Sequence, residues 1–155
     1  MARPPLLVSA CLAGVPCRYD GAALPDDELV ALVAAGAAVA VCPEVAAGLP
    51  TPRDAVEIVG GDGHDVLDGR ARVVAASGAD CTEAFRVGAE HVVARAAELG
   101  ATDAFLQARS PSCGAGLIHD GAFAGRLVTG DGVLAAALQR AGVRVESRRG
   151  ARRPE

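Results

Sequence analysis

The stretch LLVSACLAGVPCRYDGAALPDDELVALVAAGAAVAVC, Leu6 to Cys42, decides the fold. Leu6 to Ala10 is a short, continuous apolar run, the mark of a strand buried on both faces. A loop with Gly14, Pro16, Gly21 and Pro25 follows. Asp26 then offers an N-cap, Asp27 and Glu28 suit the positive end of a helix dipole, and Gly36 ends the helix. Ala37 to Cys42 reads as a second buried strand. Strand, loop, helix, strand is a βαβ unit, and its crossover is almost always right-handed.

The rest extends this unit. A Pro-rich loop follows Cys42, and Val-rich pieces separated by GGDG and DG predict a short antiparallel insert, with GGDG as its hairpin turn. A long helix is expected from Thr82 to Leu99, stopped by Gly100. Asp103 to Ala108 is a third buried strand, and Arg109 to Asp131 reads as a loop. A last helix ends at Gly142, and Val143 to Ser147 is a half-exposed strand. The expectation is a single three-layer, Rossmann-like α/β domain over 1–147 with a small, mainly parallel sheet, then a basic, disordered tail over 148–155.

Composition narrows the function. Of 155 residues, 51% are hydrophobic and 3% aromatic, so the core is aliphatic. All 15 basic residues are Arg, which leaves no lysine for Schiff-base or P-loop chemistry. A net charge of −4 provides no global field for nucleic acid. No apolar run is long enough for a membrane span, and the one at the start is too short for a signal peptide. A cytoplasmic protein is expected. The sequence assigns no oligomeric state.

In a reducing compartment the five cysteines do not read as a disulfide framework. Cys11 and Cys42 end strands one and two, and Cys113 follows strand three, in SPSCG. A parallel sheet gathers its strand C-termini on one edge, where ligands bind. Cys17 lies on the loop leaving Cys11 and can join them, whereas Cys81 reads as a bystander. No Cys-x₂₋₄-Cys pair of a structural zinc site occurs. Scattered thiols in a cleft mouth suit a larger object, an iron–sulfur cluster, and three cysteines on a four-iron cluster would leave one iron open as a Lewis acid.

LVSACLAGVPCRYDG (Leu7–Gly21), CPEVAAGLPTPR (Cys42–Arg53), ARSPSCG (Ala108–Gly114) and HDGAFAGRLVTGDGV (His119–Val133) resemble, in order, the family catalogued as domain of unknown function 523, which includes thiouracil desulfurases. The resemblance implies a [4Fe–4S] cluster held by three cysteines and non-redox removal of sulfur from a thiolated pyrimidine, a small-molecule partner. Cys11, Cys17, Cys42 and Cys113 match the family pattern. Cys11 and Cys113 are taken as ligands, and the third is Cys42, with Cys17 as its replacement. The resemblance further implies a catalytic acid at Glu44 and a catalytic serine in SPSCG, with Ser110 favoured over Ser112. The chain departs from the family at His119, Ala122, Ala124, Ala47 and Gln107, which bears on substrate identity more than on the cysteines.

Arg18, Asp20, Arg53 and Arg109 flank the cysteine motifs and are candidates for holding a pyrimidine's polar edge. His64, His91 and His119 read as surface residues. The competing readings are a non-catalytic zinc module and a metal-free thiol redox protein.

Overall fold

A computed structural model describes residues 3–150. Four strands form a wholly parallel sheet: β1 (Leu6–Ser9), β2 (Ala38–Val41), β5 (Asp103–Gln107) and β8 (Arg144–Arg148), in the spatial order β2-β1-β5-β8. The expected helix between β1 and β2 is α1 (Asp27–Ala34), and the Asp26 carboxylate accepts from the Leu29 N–H at 3.2 Å as its cap. The expected long helix is α4 (Thr82–Leu99), closed by Gly100 in the left-handed conformation.

Alternation along the strands gives the sheet two buried faces. Val8 and Ala38 pack with Leu29, Leu12 and the inner side of α1. Leu7, Ala104 and Leu106 pack on the other side with Phe85 and Val92 of α4, and with Leu134 and Leu138 of α5 (Val133–Arg140). A fully buried Leu or Val stabilises by about 1.5–3 kcal/mol relative to exposure. This aliphatic core therefore compensates for the scarcity of aromatics.

Several features differ from the sequence reading, among them a short helix over Pro43–Ala46 in the expected Pro-rich loop. GGDG is not a tight hairpin turn. The antiparallel pair β3 (Val56–Val59) and β4 (Arg72–Ala75) exists, but the short helix α3 (Gly63–Leu67) lies between its strands. Asp62 forms a reciprocal capping box with Asp65, which turns the predicted turn into a helix start. Part of the predicted Arg109–Asp131 loop pairs as a second hairpin, β6 (Leu117–His119) with β7 (Leu127–Thr129). Three-residue strands are too short for a period-2 pattern to stand out.

The last strand also runs one residue further than expected. Arg148, assigned to the tail, ends β8, lies 4.6 Å from the Phe105 ring centroid and pairs with Asp26 and Glu28. The stretch 151–155 lies outside the described residues.

The order β2-β1-β5-β8 reverses direction between β1 and β5, where α/β sheets open a crevice beyond their C-terminal strand ends. The pairing shows how it opens. β1 and β5 are in register only at Leu7–Ala104 and Val8–Phe105. One residue later the ladder is replaced by a side chain, and the buried Ser9 hydroxyl accepts the Gln107 N–H at 2.8 Å. Ser9→Ala would strand that N–H without a partner. An unsatisfied buried donor costs about 1–3 kcal/mol, so a melting temperature several degrees lower is expected. A melting curve superimposable on that of the native protein would refute this role.

Candidate active site

A cavity of about 710 Å³ opens at the C-terminal edge of the sheet. Cys11, Cys42 and Cys113 line it, as the strand-end argument predicts, and Cys17 joins them from the loop after Cys11. Cys11 lies in the 3₁₀ turn Ala10–Ala13 directly after β1. Cys42 follows β2 and precedes the four-residue helix α2 (Pro43–Ala46), whose first position is the favourable Pro43. Cys113 sits in the loop after β5 and is buried. This loop is anchored by α5. The Val133 N–H donates to the Pro111 carbonyl, and those of Leu134 and Ala135 donate to Ser112. The free N–H groups of the last helix thus hold the site loop rather than an anionic ligand.

Glu44 is the electrostatic centre. It lies in the first turn of α2, and α4 fixes the base of that turn: a Cβ at Gly88 would collide with the Pro43 carbonyl, so only glycine allows the approach. Glu44 Oε2 accepts from Arg53 at 2.7 Å, and Glu44 Oε1 accepts from the Ser112 hydroxyl at 2.7 Å. Ser112 has one hydroxyl proton, and the short bond gives it to Glu44. The 3.0 Å contact between the two serine hydroxyls must then be Ser110 donating to Ser112. Ser110 Oγ also accepts the N–H groups of Ser112 and Cys113, both at 3.2 Å. Ser110 therefore shapes the loop, and Ser112 is the serine that meets the carboxylate.

The other candidates divide. Arg53 lines the cavity but is committed to the protein: besides Glu44 it donates to the carbonyls of Cys17 and Pro50 and to the Thr51 hydroxyl. Arg18 and Arg109 line the cavity too, with Arg18 5.8 Å from the Tyr19 ring centroid. Asp20 is exposed, accepts the Ala22 N–H at 3.0 Å within its own turn, and is not among the cavity's lining residues.

Several lining residues escape the sequence reading: Ser9, Gln107, His119, Phe123 and Cys81. A serine at the end of an apolar run is the one local signal that marks Ser9. Gln107 Oε1 and His119 Nδ1 are buried without a hydrogen-bond partner. His119 is half-buried rather than a surface residue. Away from the cavity, Asp62, His64 and Asp131 offer ligand atoms within 4.8 Å of one another. Their atoms are already engaged: Asp62 caps α3, Asp131 accepts the Gly116 N–H, and His64 lies between Asp131 and Arg140.

The thiols differ in acidity. Burial pushes Cys11 up to about 11, and burial beside Glu44 raises Cys113 further. The interaction with Cys42 raises the Cys17 thiol, and the same interaction lowers Cys42 to about 7. No three of the cysteine sulfurs lie within 4.8 Å of one another among the described residues. Tetrahedral zinc with 2.3 Å bonds needs sulfurs roughly 3.8 Å apart, so the spread suits a polynuclear group and not one Zn²⁺. Buried neutral thiols would release protons to become ligands of such a cationic group. In metal-free protein near pH 7.5, iodoacetamide is expected to alkylate Cys42 well before Cys11 and Cys113, as followed by peptide mass mapping. Equal rates at all three would contradict the lowered Cys42 thiol.

Comparison with known proteins places this geometry. Over 142 residues the chain is 47% identical to the uncharacterized protein YbbK of Bacillus subtilis (strain 168), covering 92% of this chain and 94% of that one. It superposes with a TM-score of 0.81 on the solved structure of a [4Fe–4S]-dependent thiouracil desulfidase, TudS, at 42% identity, covering 94% of this chain and 91% of that one. The family model described as 2-thiouracil desulfurase matches residues 6–149, and the chain belongs to that family.

Proposed function

We propose that this chain removes sulfur from a thiolated pyrimidine without net redox change, using a [4Fe–4S] cluster held by Cys11, Cys42 and Cys113. The observation that carries the reading is the Ser112–Glu44–Arg53 array inside a cavity that Cys11, Cys17, Cys42 and Cys113 line. The family and the likeness to TudS support both substrate class and cofactor.

When bound by three thiolates, such a cluster supplies an open iron, a soft Lewis acid for the substrate's sulfur. Cys113 suits a ligand because the Ser9 hydroxyl hydrogen-bonds to it and helps to hold a thiolate. Cys17 is left as the protonated neighbour of Cys42.

Glu44 is the general base. It takes a proton from a water whose oxygen adds to the thiocarbonyl carbon, and the carbon–sulfur bond then breaks. The change is C=S + H₂O → C=O + H₂S, so no electron donor is required. Ser112 and Arg53 hold the two carboxylate oxygens, fixing the direction in which Glu44 meets the water. Ser110 feeds the same chain through Ser112. Arg18 and Arg109 stand at the cavity as donors for the pyrimidine's carbonyl oxygens.

Two sets of variants test this on anaerobically reconstituted protein. Cys11→Ser, Cys42→Ser and Cys113→Ser should lose the broad visible absorbance and the stoichiometric iron, whereas Cys17→Ser should keep both. The opposite result at positions 17 and 42 would exchange their roles, and a colourless native protein with one bound zinc would replace the proposal by a zinc module. Glu44→Gln should retain the cluster yet release sulfide from 2-thiouracil roughly 10²–10⁴-fold more slowly. Ser112→Ala, which removes one hydrogen bond to a charged group, should cost about ten- to a hundredfold. Native turnover by Glu44→Gln would sink the base assignment.

A further inference from the structure

One wall of the cavity is built with more care than packing requires. The turn of the β6–β7 hairpin carries Phe123, which lines the cavity, is 41% exposed and has φ of 54°. A left-handed backbone is unfavourable for an aromatic residue and persists only where its surroundings impose it. Here they do. The Glu57 side chain rises from β3, is 8% exposed, and its Oε1 accepts the N–H groups of Gly121 at 2.9 Å and Phe123 at 3.2 Å. Gly121, at φ 94°, lies so close to β3 that a Cβ would stand 2.6 Å from the Ile58 carbonyl oxygen. A buried carboxylate and a close-packed glycine thus hold one ring at the cavity wall, half in water.

The ring gains little there from the protein alone. Three other aromatic rings line the cavity, those of Phe85, Tyr19 and the half-buried His119. Phe85 is 4% exposed and belongs to the core, and Tyr19 has the Arg18 guanidinium over its ring. Phe123 is the exposed phenyl ring at this wall, with an apolar face open to a planar ligand.

We infer that Phe123 is the substrate-binding residue on which the thiolated pyrimidine ring stacks, with Glu57 as the positioning residue that sets its plane. This rests on the reading of the cavity as a thiolated-pyrimidine site. Offset stacking leaves the ring edge in its own plane, so the thiocarbonyl can point to the cysteines while Glu44 addresses the carbon. The apolar face gives affinity, and the polar wall gives orientation.

The test uses the cluster-loaded protein, with iron content checked for every variant. Phe123→Ala and the bulkier Phe123→Leu should raise KM for 2-thiouracil about tenfold, with kcat changed less than about threefold because the chemistry is elsewhere. Phe123→Trp should restore KM. The chain has no tryptophan of its own, so this variant also carries a single fluorescent reporter, and its emission should change on titration with uracil. A KM within about twofold of native in both Ala and Leu variants, or tryptophan emission indifferent to uracil, would overturn the proposal. Absence of sulfide release by the native protein would instead sink the desulfurase reading. Stacking would then be decided by the tryptophan titration with uracil and 2-thiouracil, where a saturable change supports it and none overturns it.

Discussion

The separation of β1 from β5 beyond Val8 is the constraint on which the site depends. A parallel sheet is a continuous hydrogen-bonded surface, and a cleft forms only where two neighbouring strands lead their chains to opposite sides. Here the chain leaves β1 into a 3₁₀ turn carrying Cys11, and leaves β5 into the loop carrying Ser110, Ser112 and Cys113. The gap would expose the Gln107 N–H to a dry interior. Ser9 supplies the missing acceptor, so the same residue closes the ladder and faces Cys113. Stability and chemistry meet at one hydroxyl.

Around that gap the polar groups form one connected chain rather than separate contacts. Ser110, Ser112, Glu44 and Arg53 are linked in sequence, and Arg53 ties the assembly to the carbonyl of Cys17. Each member fixes the next because every short bond uses a donor with no alternative acceptor as close. A carboxylate held at both oxygens keeps its direction, which a base needs when the water it addresses has to line up with a ring carbon. The thiols show the complementary pattern. Burial keeps Cys11 and Cys113 protonated in the absence of a cationic partner, and the partner's charge reverses that preference.

Glycine carries much of the assembly at two places. At Gly88 it lets α4 seat α2, and with it Glu44, against the sheet edge. At Gly121 it lets the second hairpin lie on β3, so that the insert read from sequence as a separate excursion becomes a wall of the cavity. The antiparallel pieces are therefore part of the site and not an appendage to the parallel core.

How much of this was legible before folding follows from the range of each interaction. Apolar runs, caps and stops are local, and they located β1, α1, β2, α4 and β5 to within about a residue or two. A parallel sheet also gathers strand C-termini by topology alone, so the meeting of Cys11, Cys42 and Cys113 at one cavity, with Cys17 on the adjoining loop, could be read from spacing, and the motif resemblance assigned roles to Glu44 and the serine loop. What local pattern cannot encode is a contact between distant residues. The choice of Ser112 over Ser110 as the partner of Glu44 rests on a bond across 68 residues, and the role of Ser9 on one across 98. Arg53 looked like a substrate ligand because its charge was visible and its four acceptors were not. Asp20 looked like another until the turn claimed its carboxylate. The sequence by itself determined that Cys11, Cys42 and Cys113 would share the sheet edge. Only the tertiary structure decided which of them touch, because hydrogen-bond direction and ring exposure depend on distances that the packing of α2, α5 and the two hairpins sets.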